Sequence, residues 1–152
     1  VVDPLRFVED FVSAGADHLT VHVEAVPDPA LALRAIHARG IRAGLSLKPK
    51  TPVDRILPAL SGCDIALLMT VEPGADGQAF LEESPERIAA LRSAIAARAL
   101  DCLVMVDGGI GPLTAPRARD AGADSFVAGH SIFRAPDPSA ALAALRRSLE
   151  GA

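Results

Sequence analysis

Two hydrophobic periods alternate along the whole chain. Residues 5 to 14 place Leu5, Val8, Phe11 and Val12 at helical spacing behind Asp3-Pro4, and Gly15 stops the run, so an amphipathic helix is predicted there. From His18 to Glu24 the period falls to two: Leu19, Val21 and Val23 point one way, Thr20, His22 and Glu24 the other, which predicts a strand with two different faces. The spacing turns helical again from Pro29 to Arg39, Gly40 ends that helix, and Ile41 to Leu47 reads as a second strand closed by Lys48-Pro49-Lys50-Thr51-Pro52. The cycle then repeats. A short helix near Val53 to Leu60 leads to strand Ile65 to Val71, a long helix Pro85 to Ala99 to strand Cys102 to Val106, and a helix Leu113 to Ala121 to strand Ser125 to Ala128; Pro138 to Leu149 is the last helix.

Five strands and six helices in strict alternation are the pattern of right-handed βαβ units and a parallel sheet, here in one domain spanning 1–152. An open doubly wound sheet and a portion of a (β/α)8 TIM-type barrel both fit the alternation. Doubly wound strands are buried on both faces, whereas His22, Thr70 and Asp107 break the apolar runs at the C-terminal strand ends. The barrel accounts for that better, because its strand ends converge on a central pocket, predicted here to gather positions 22, 70, 107 and 129 with the last helix outside.

Composition narrows the partners. Half of the residues are hydrophobic and 22% charged, as in a chain that folds around a core. No apolar run approaches the roughly 20 residues of a membrane-spanning helix, and the start has no basic segment followed by an apolar one, so the expectation is a cytoplasmic protein that does not engage a membrane. A net charge of −4 argues against nucleic acid as a partner. Trp and Tyr are absent, which removes the usual stacking platforms for sugars or bases. Cys63 and Cys102, far apart in sequence, read as buried thiols rather than a disulfide or metal pair.

Candidate chemistry sits behind the strands. Asp107-Gly108-Gly109 sets a carboxylate at a strand end before two residues whose missing side chains let backbone N–H groups approach a ligand; a simple turn with Asp107 accepting local bonds would use the same residues. His22 could ligate a metal through a neutral imidazole or merely be hydrogen-bonded. The loops containing Gly74, Gly77 and Gln78, and Gly129 and His130, are small-residue connections suited to an anionic phosphate. Lys48 and Lys50 read as a solvated loop rather than a charge clamp.

Taken in order, His22-Val23-Glu24-Ala25, Lys48-Pro49 with Thr51, Met69-Thr70-Val71-Glu72-Pro73-Gly74 with Gly77-Gln78 and Phe80, Val106 to Pro112, and Ser131-Ile132-Phe133 resemble the signatures of the ribulose-phosphate 3-epimerase family over essentially the whole chain. The resemblance implies a (β/α)8 barrel, lacking here about three N-terminal βα units, that interconverts D-ribulose 5-phosphate and D-xylulose 5-phosphate through an enediolate in the pentose phosphate pathway. It implies a divalent metal, zinc foremost, with manganese, iron or cobalt as alternatives, held by two histidines and two aspartates. On that resemblance His22 matches one metal-binding histidine, and Asp107 matches an aspartate that both binds metal and transfers a proton. Gly77, Gly108, Gly109 and Gly129 match the phosphate-cradling backbone, and Met69 a pocket-lining methionine; Gly74, Gln78 and His130 fall in the same loops. Two departures stand out: Ala75-Asp76 replaces the family's usual Phe-Gly, and His130 its usual Ser. The other metal-binding histidine and the second acid/base aspartate have no match, and neither His18 nor His37 can substitute. Weak metal affinity and little turnover are therefore expected of this chain alone. A related phosphosugar epimerase or aldol-type synthase, and a non-catalytic barrel fragment that binds phosphate or, through its open edges, another subunit such as a second copy, are the alternatives.

Overall fold

A computed structural model describes residues 1–72, 74 and 77–150. A single turn of 3-10 helix, Pro4–Phe7, runs into α1 (Val8–Ser13); then follow β1 (His18–His22), α2 (Pro29–His37), β2 (Arg42–Leu47), β3 (Ile65–Met69), α3 (Ser84–Ala96), β4 (Leu103–Asp107), α4 (Ala115–Asp120), β5 (Ser125–Val127), α5 (His130–Phe133) and α6 (Pro138–Glu150). All five strands are parallel, and their order across the sheet is their order in the chain. A doubly wound sheet reverses its strand order at a switch point; the absence of a reversal here is the arrangement of a barrel wall.

Local chemistry explains the elements. In α2, Asp28 caps the first turn by accepting a bond from Leu31 N at 3.0 Å, Pro29 occupies the first helical position where no N–H is needed, and Ala32, Leu33 and Ile36 form the buried stripe. In α3 the buried stripe is Ile88, Leu91 and Ile95, at spacings of three and four. Helix α6 packs on α4 and α5, outside the sheet as expected.

The two faces of the sheet differ. Val21, Leu45, Leu68, Val104 and Val106 point toward the helices and join Leu33, Ile36, Ile88 and Leu91 in one continuous core. The opposite face carries Thr20, His22, Ser46, Leu67, Met69, Met105 and Asp107, set by the register pairs His22↔Ser46, Ser46↔Leu67, Leu67↔Met105 and Met69↔Asp107. Leu103 and Val127 on that face remain 40% exposed.

Three sequence expectations need correction. Residues 53–60 form no α-helix but two 3-10 segments, Val53–Arg55 and Leu57–Gly62, because Pro58 interrupts any longer ladder. Strand β1 ends at His22 rather than Glu24, since Val23–Ala25 coils into a further 3-10 turn. In α1 only Val8 is buried, while Phe7 and Phe11 stay exposed.

One device recurs. Asp64, just before β3, accepts Ala43 N of β2 at 2.7 Å and His37 Nε2 of α2 at 2.8 Å. Asp124, just before β5, accepts Val104 N of β4 at 2.8 Å and pairs with Arg92 of α3. Each carboxylate ties the start of one strand to its neighbour and to the helix that precedes that neighbour in the chain.

Candidate active site

At the C-terminal ends of β3, β4 and β5 the register places Met69, Asp107 and Val127 side by side in one row. That row floors a cavity of about 600 Å³, whose rim is built by Gly74, Gly77, Gln78, Gly108, Gly109, Gly129 and His130. Nine of the ten residues singled out from the sequence therefore share one cavity. Pro73, Ala75 and Asp76, whose acidic side chain was expected to weigh on a phosphate, lie outside the described residues.

The rim demands glycine. Gly108 has φ +118° and Gly109 φ +64°, in the region that side chains rarely adopt; a Cβ on Gly109 would lie 2.5 Å from Phe80 N, and one on Gly108 would collide with the Val71 side chain. The loop after β4 is braced from three sides. Thr70, predicted to face the pocket, turns away, fully buried, and donates its hydroxyl to Asp107 O and Gly108 O. Thr114 Oγ1 donates to Gly109 O at 2.7 Å and accepts from Gly111 N at 2.9 Å, and Ser131 Oγ donates to Ile110 O at 2.6 Å. At Gly77 a Cβ would stand 3.1 Å from the His130 ring, so the two phosphate-loop candidates touch.

Asp107 itself has neither a hydrogen bond nor an ion pair to its carboxylate among the described residues, and burial raises its pKa above the ordinary carboxylate value. A carboxyl in a cavity with a raised pKa and no partner to hold it ionised is suited to giving and taking protons. Glu72, the other carboxylate on the cavity wall among the described residues, sits 3.8 Å from Lys50 Nζ.

His22 does not join this cavity. It shares the sheet face of Asp107 but lies three strands away and level with Met105, about 16 Å along the sheet at ordinary spacing and rise, and lines a second cavity of about 310 Å³ with Phe7, Phe11 and Leu19. Its Nδ1 stands 3.3 Å from a Glu24 carboxylate oxygen, close enough for an electrostatic contact but not aligned as a hydrogen bond, which leaves that buried nitrogen unsatisfied. Glu24 is fixed from the other side: it accepts Lys48 N at 3.0 Å and the Thr51 hydroxyl. Burial pushes the Glu24 carboxyl up, and these bonds outweigh it, holding the pKa below the ordinary range. Arg87 of α3 completes the anchor by donating to Lys48 O and Thr51 O at 3.0 and 2.8 Å. Lys50 is 91% exposed, in line with a solvated loop, but the backbone of Lys48 is an integral contact. His18 pairs with Thr20 at the opposite strand end and His37 with Asp64, so neither reaches either cavity.

Comparison with known proteins assigns the chain to a family. Residues 1–133 match the profile described as the ribulose-phosphate 3 epimerase family. The chain belongs to that family. The ribulose-phosphate 3-epimerase of Mycobacterium bovis is 43% identical over 145 residues, covering 95% of this chain and 63% of its own length; that of Synechocystis is 42% identical over 150 residues. The rice protein named as a cytoplasmic isoform is 43% identical over 155 residues, covering 99% of this chain. The chain thus spans just under two thirds of the length of such relatives. Among solved structures, orotidine 5'-phosphate decarboxylase from Pyrococcus horikoshii (TM-score 0.72, 20% identity, 68% of that chain) and 3-hexulose-6-phosphate synthase (TM-score 0.67, 24% identity, 69% of that chain) share the fold.

Proposed function

We propose that this family member acts as one barrel-type domain on a phosphorylated pentulose in the cytoplasm, as a ribulose-phosphate 3-epimerase that interconverts D-ribulose 5-phosphate and D-xylulose 5-phosphate. The observation that carries the reading is the unpartnered Asp107 carboxylate in a cavity rimmed by Gly77, Gly108, Gly109 and Gly129. In this reading the glycine backbones receive the phosphate, where no side chain keeps a ligand from the N–H groups. Met69 and Val127 flank Asp107 and shed water from the reacting carbon. Asp107, ionised, removes the proton next to the carbonyl, and the resulting carboxylic acid returns a proton to the planar enediolate. Return from the same face regenerates the starting sugar, so inversion requires a second donor opposite.

The donor set does not build a divalent-metal site. Catalytic zinc normally keeps three protein ligands, no group of three or more metal-binding side chains occurs among the described residues, and His22 and Asp107 open into different cavities. No step is therefore routed through a metal.

The test is conversion of D-ribulose 5-phosphate to D-xylulose 5-phosphate by the wild-type chain and by Asp107→Asn, with exchange of the carbon-3 proton into deuterated water followed by NMR. Asp107→Asn is expected to lower exchange by about 10²- to 10⁴-fold, the usual contribution of a general acid/base. Undiminished exchange in that variant would overturn the assignment. Exchange without inversion would keep Asp107 as the proton-abstracting group and overturn interconversion by this chain alone.

A further inference from the structure

Cys63 and Cys102 are far apart in sequence, yet they are neighbours at the N-terminal end of the sheet, remote from the cavity. The register Ile65↔Leu103 continues backward through the bond from Leu103 N to Asp64 O, which sets Cys102 beside Asp64 and one residue out of step with Cys63. Cys63 keeps an extended backbone, φ −105° and ψ 118°. One strand spacing combined with one residue of rise separates the two Cα atoms by about 6 Å, inside the roughly 4.4–6.8 Å window of protein disulfides. Both thiols are free and buried, both belong to the helix-side core, and they lie close enough to influence each other's ionisation.

We propose that Cys63 and Cys102 are a thiol-oxidation site, closing to a reversible disulfide that staples the start of β3 to the start of β4 under attack by a low-molecular-weight disulfide such as glutathione disulfide. The two sulfurs have different roles. The Cys63 thiol donates to Ile65 O at 3.0 Å; the proximity of the two sulfurs, with the Arg92 guanidinium close to Cys102, holds the Cys102 thiol below its ordinary pKa and pushes Cys63 up. Cys102 is the nucleophile. It also adjoins Asp101, an exposed residue in the connection from α3, so a local opening of that connection exposes Cys102 before the core proper. The Cys102 thiolate attacks one sulfur of glutathione disulfide; the S–S bond breaks, one glutathione leaves as thiolate and takes up a proton, and a mixed disulfide remains on Cys102. Cys63 then loses its proton and attacks the Cys102 sulfur, expelling the second glutathione. The protein dithiol is oxidised by two electrons and one glutathione disulfide is reduced to two thiols.

The consequence is mechanical rather than catalytic. The bond closes a loop containing β3, α3 and the loop after β3, and so constrains the unfolded chain, while the Met69–Asp107–Val127 row lies at the other end of the strands. The experiment treats the folded wild-type chain with glutathione disulfide, blocks remaining thiols, and reads intact mass and non-reduced peptides. The expected result is a monomer lighter by two hydrogens with a Cys63–Cys102 cross-linked peptide, reversed by dithiothreitol, and a melting temperature several degrees above that of the reduced protein. Cys63→Ala is expected to trap one glutathione on Cys102, whereas Cys102→Ala leaves Cys63 unmodified. Two alkylatable thiols after oxidation, or cross-links only between chains, would overturn the proposal, as would a glutathione adduct on Cys63.

Discussion

Gly109 shows how narrowly a single residue can be specified. Its φ of +64° disfavours any side chain, and Phe80 N stands 2.5 Å from where a Cβ would be. The neighbour is backbone, so the clash cannot be relieved by a rotamer change; the loop after β4 must move. Gly109→Ala is therefore expected to cost about 1–3 kcal/mol and, because the loop walls the cavity, to weaken binding of the pentulose phosphate. Gly74→Ala tests conformation without a clash: its φ of +116° is harder for a side chain than +64°, but nothing lies within 4 Å. Calorimetric titration of both variants with D-ribulose 5-phosphate, beside urea unfolding, would show whether space or conformation matters; a larger loss in Gly109→Ala than in Gly74→Ala is expected from the clash, and an unchanged Gly109→Ala would mean that the loop gives way at Phe80 without cost.

At the scale of elements, the Asp64 brace makes a pH prediction. Burial pushes the Asp64 carboxyl up, but the hydrogen bonds from His37 and Ala43 N outweigh it, so the folded pKa lies below the unfolded value. A depressed pKa means stability that is fully present above the unfolded pKa and lost as pH falls through the folded one. Asp64→Asn should therefore unfold at lower urea than wild type at pH 7, by about 1 kcal/mol for a partly exposed group, and the gap should close as pH drops below the ordinary carboxylate range. A gap unchanged down to that range would remove the carboxylate from the explanation. This brace also marks where sequence reading stops. The strands were legible because alternation is a local signal, and the Asp107 cavity was legible because its residues follow strand ends directly. Asp64 bonds a residue 21 positions away and Asp124 one 20 away, and no periodicity reports such pairs. Glu24 was misplaced for a related reason: alternation put it beside His22 on one strand face, but the 3-10 turn at Val23–Ala25 carries its carboxylate across to Lys48 and Thr51. Cys63 and Cys102, read correctly as buried, gave no sign that they touch.

Across the whole molecule the asymmetry of the sheet decides where stability resides. Helices α2 and α3 bury their apolar stripes against one side, so the strand residues facing that way are enclosed. On the opposite face Ile65 and Met69 are buried, but Leu103 and Val127 are not. Leu45 and Leu103 form a matched pair: the same side chain on one parallel sheet, the first fully buried toward the helices, the second 40% exposed on the open face. Removing a buried leucine forfeits transfer free energy and leaves a cavity, about 2–5 kcal/mol. Trimming a leucine that already meets water forfeits part of the transfer contribution and leaves no closed cavity, so under about 1.5 kcal/mol is expected. Leu45→Ala should therefore shift the urea midpoint severalfold more than Leu103→Ala, at dilute protein and with unchanged slope. If the open face is instead covered in solution by a second copy, Leu103→Ala would cost as much as Leu45→Ala, and its cost would fall as the protein is diluted, because the packing that Leu103 supplies would belong to the complex and not to the single chain. Measuring both variants at two protein concentrations separates a core with one side from a core that is finished only by association.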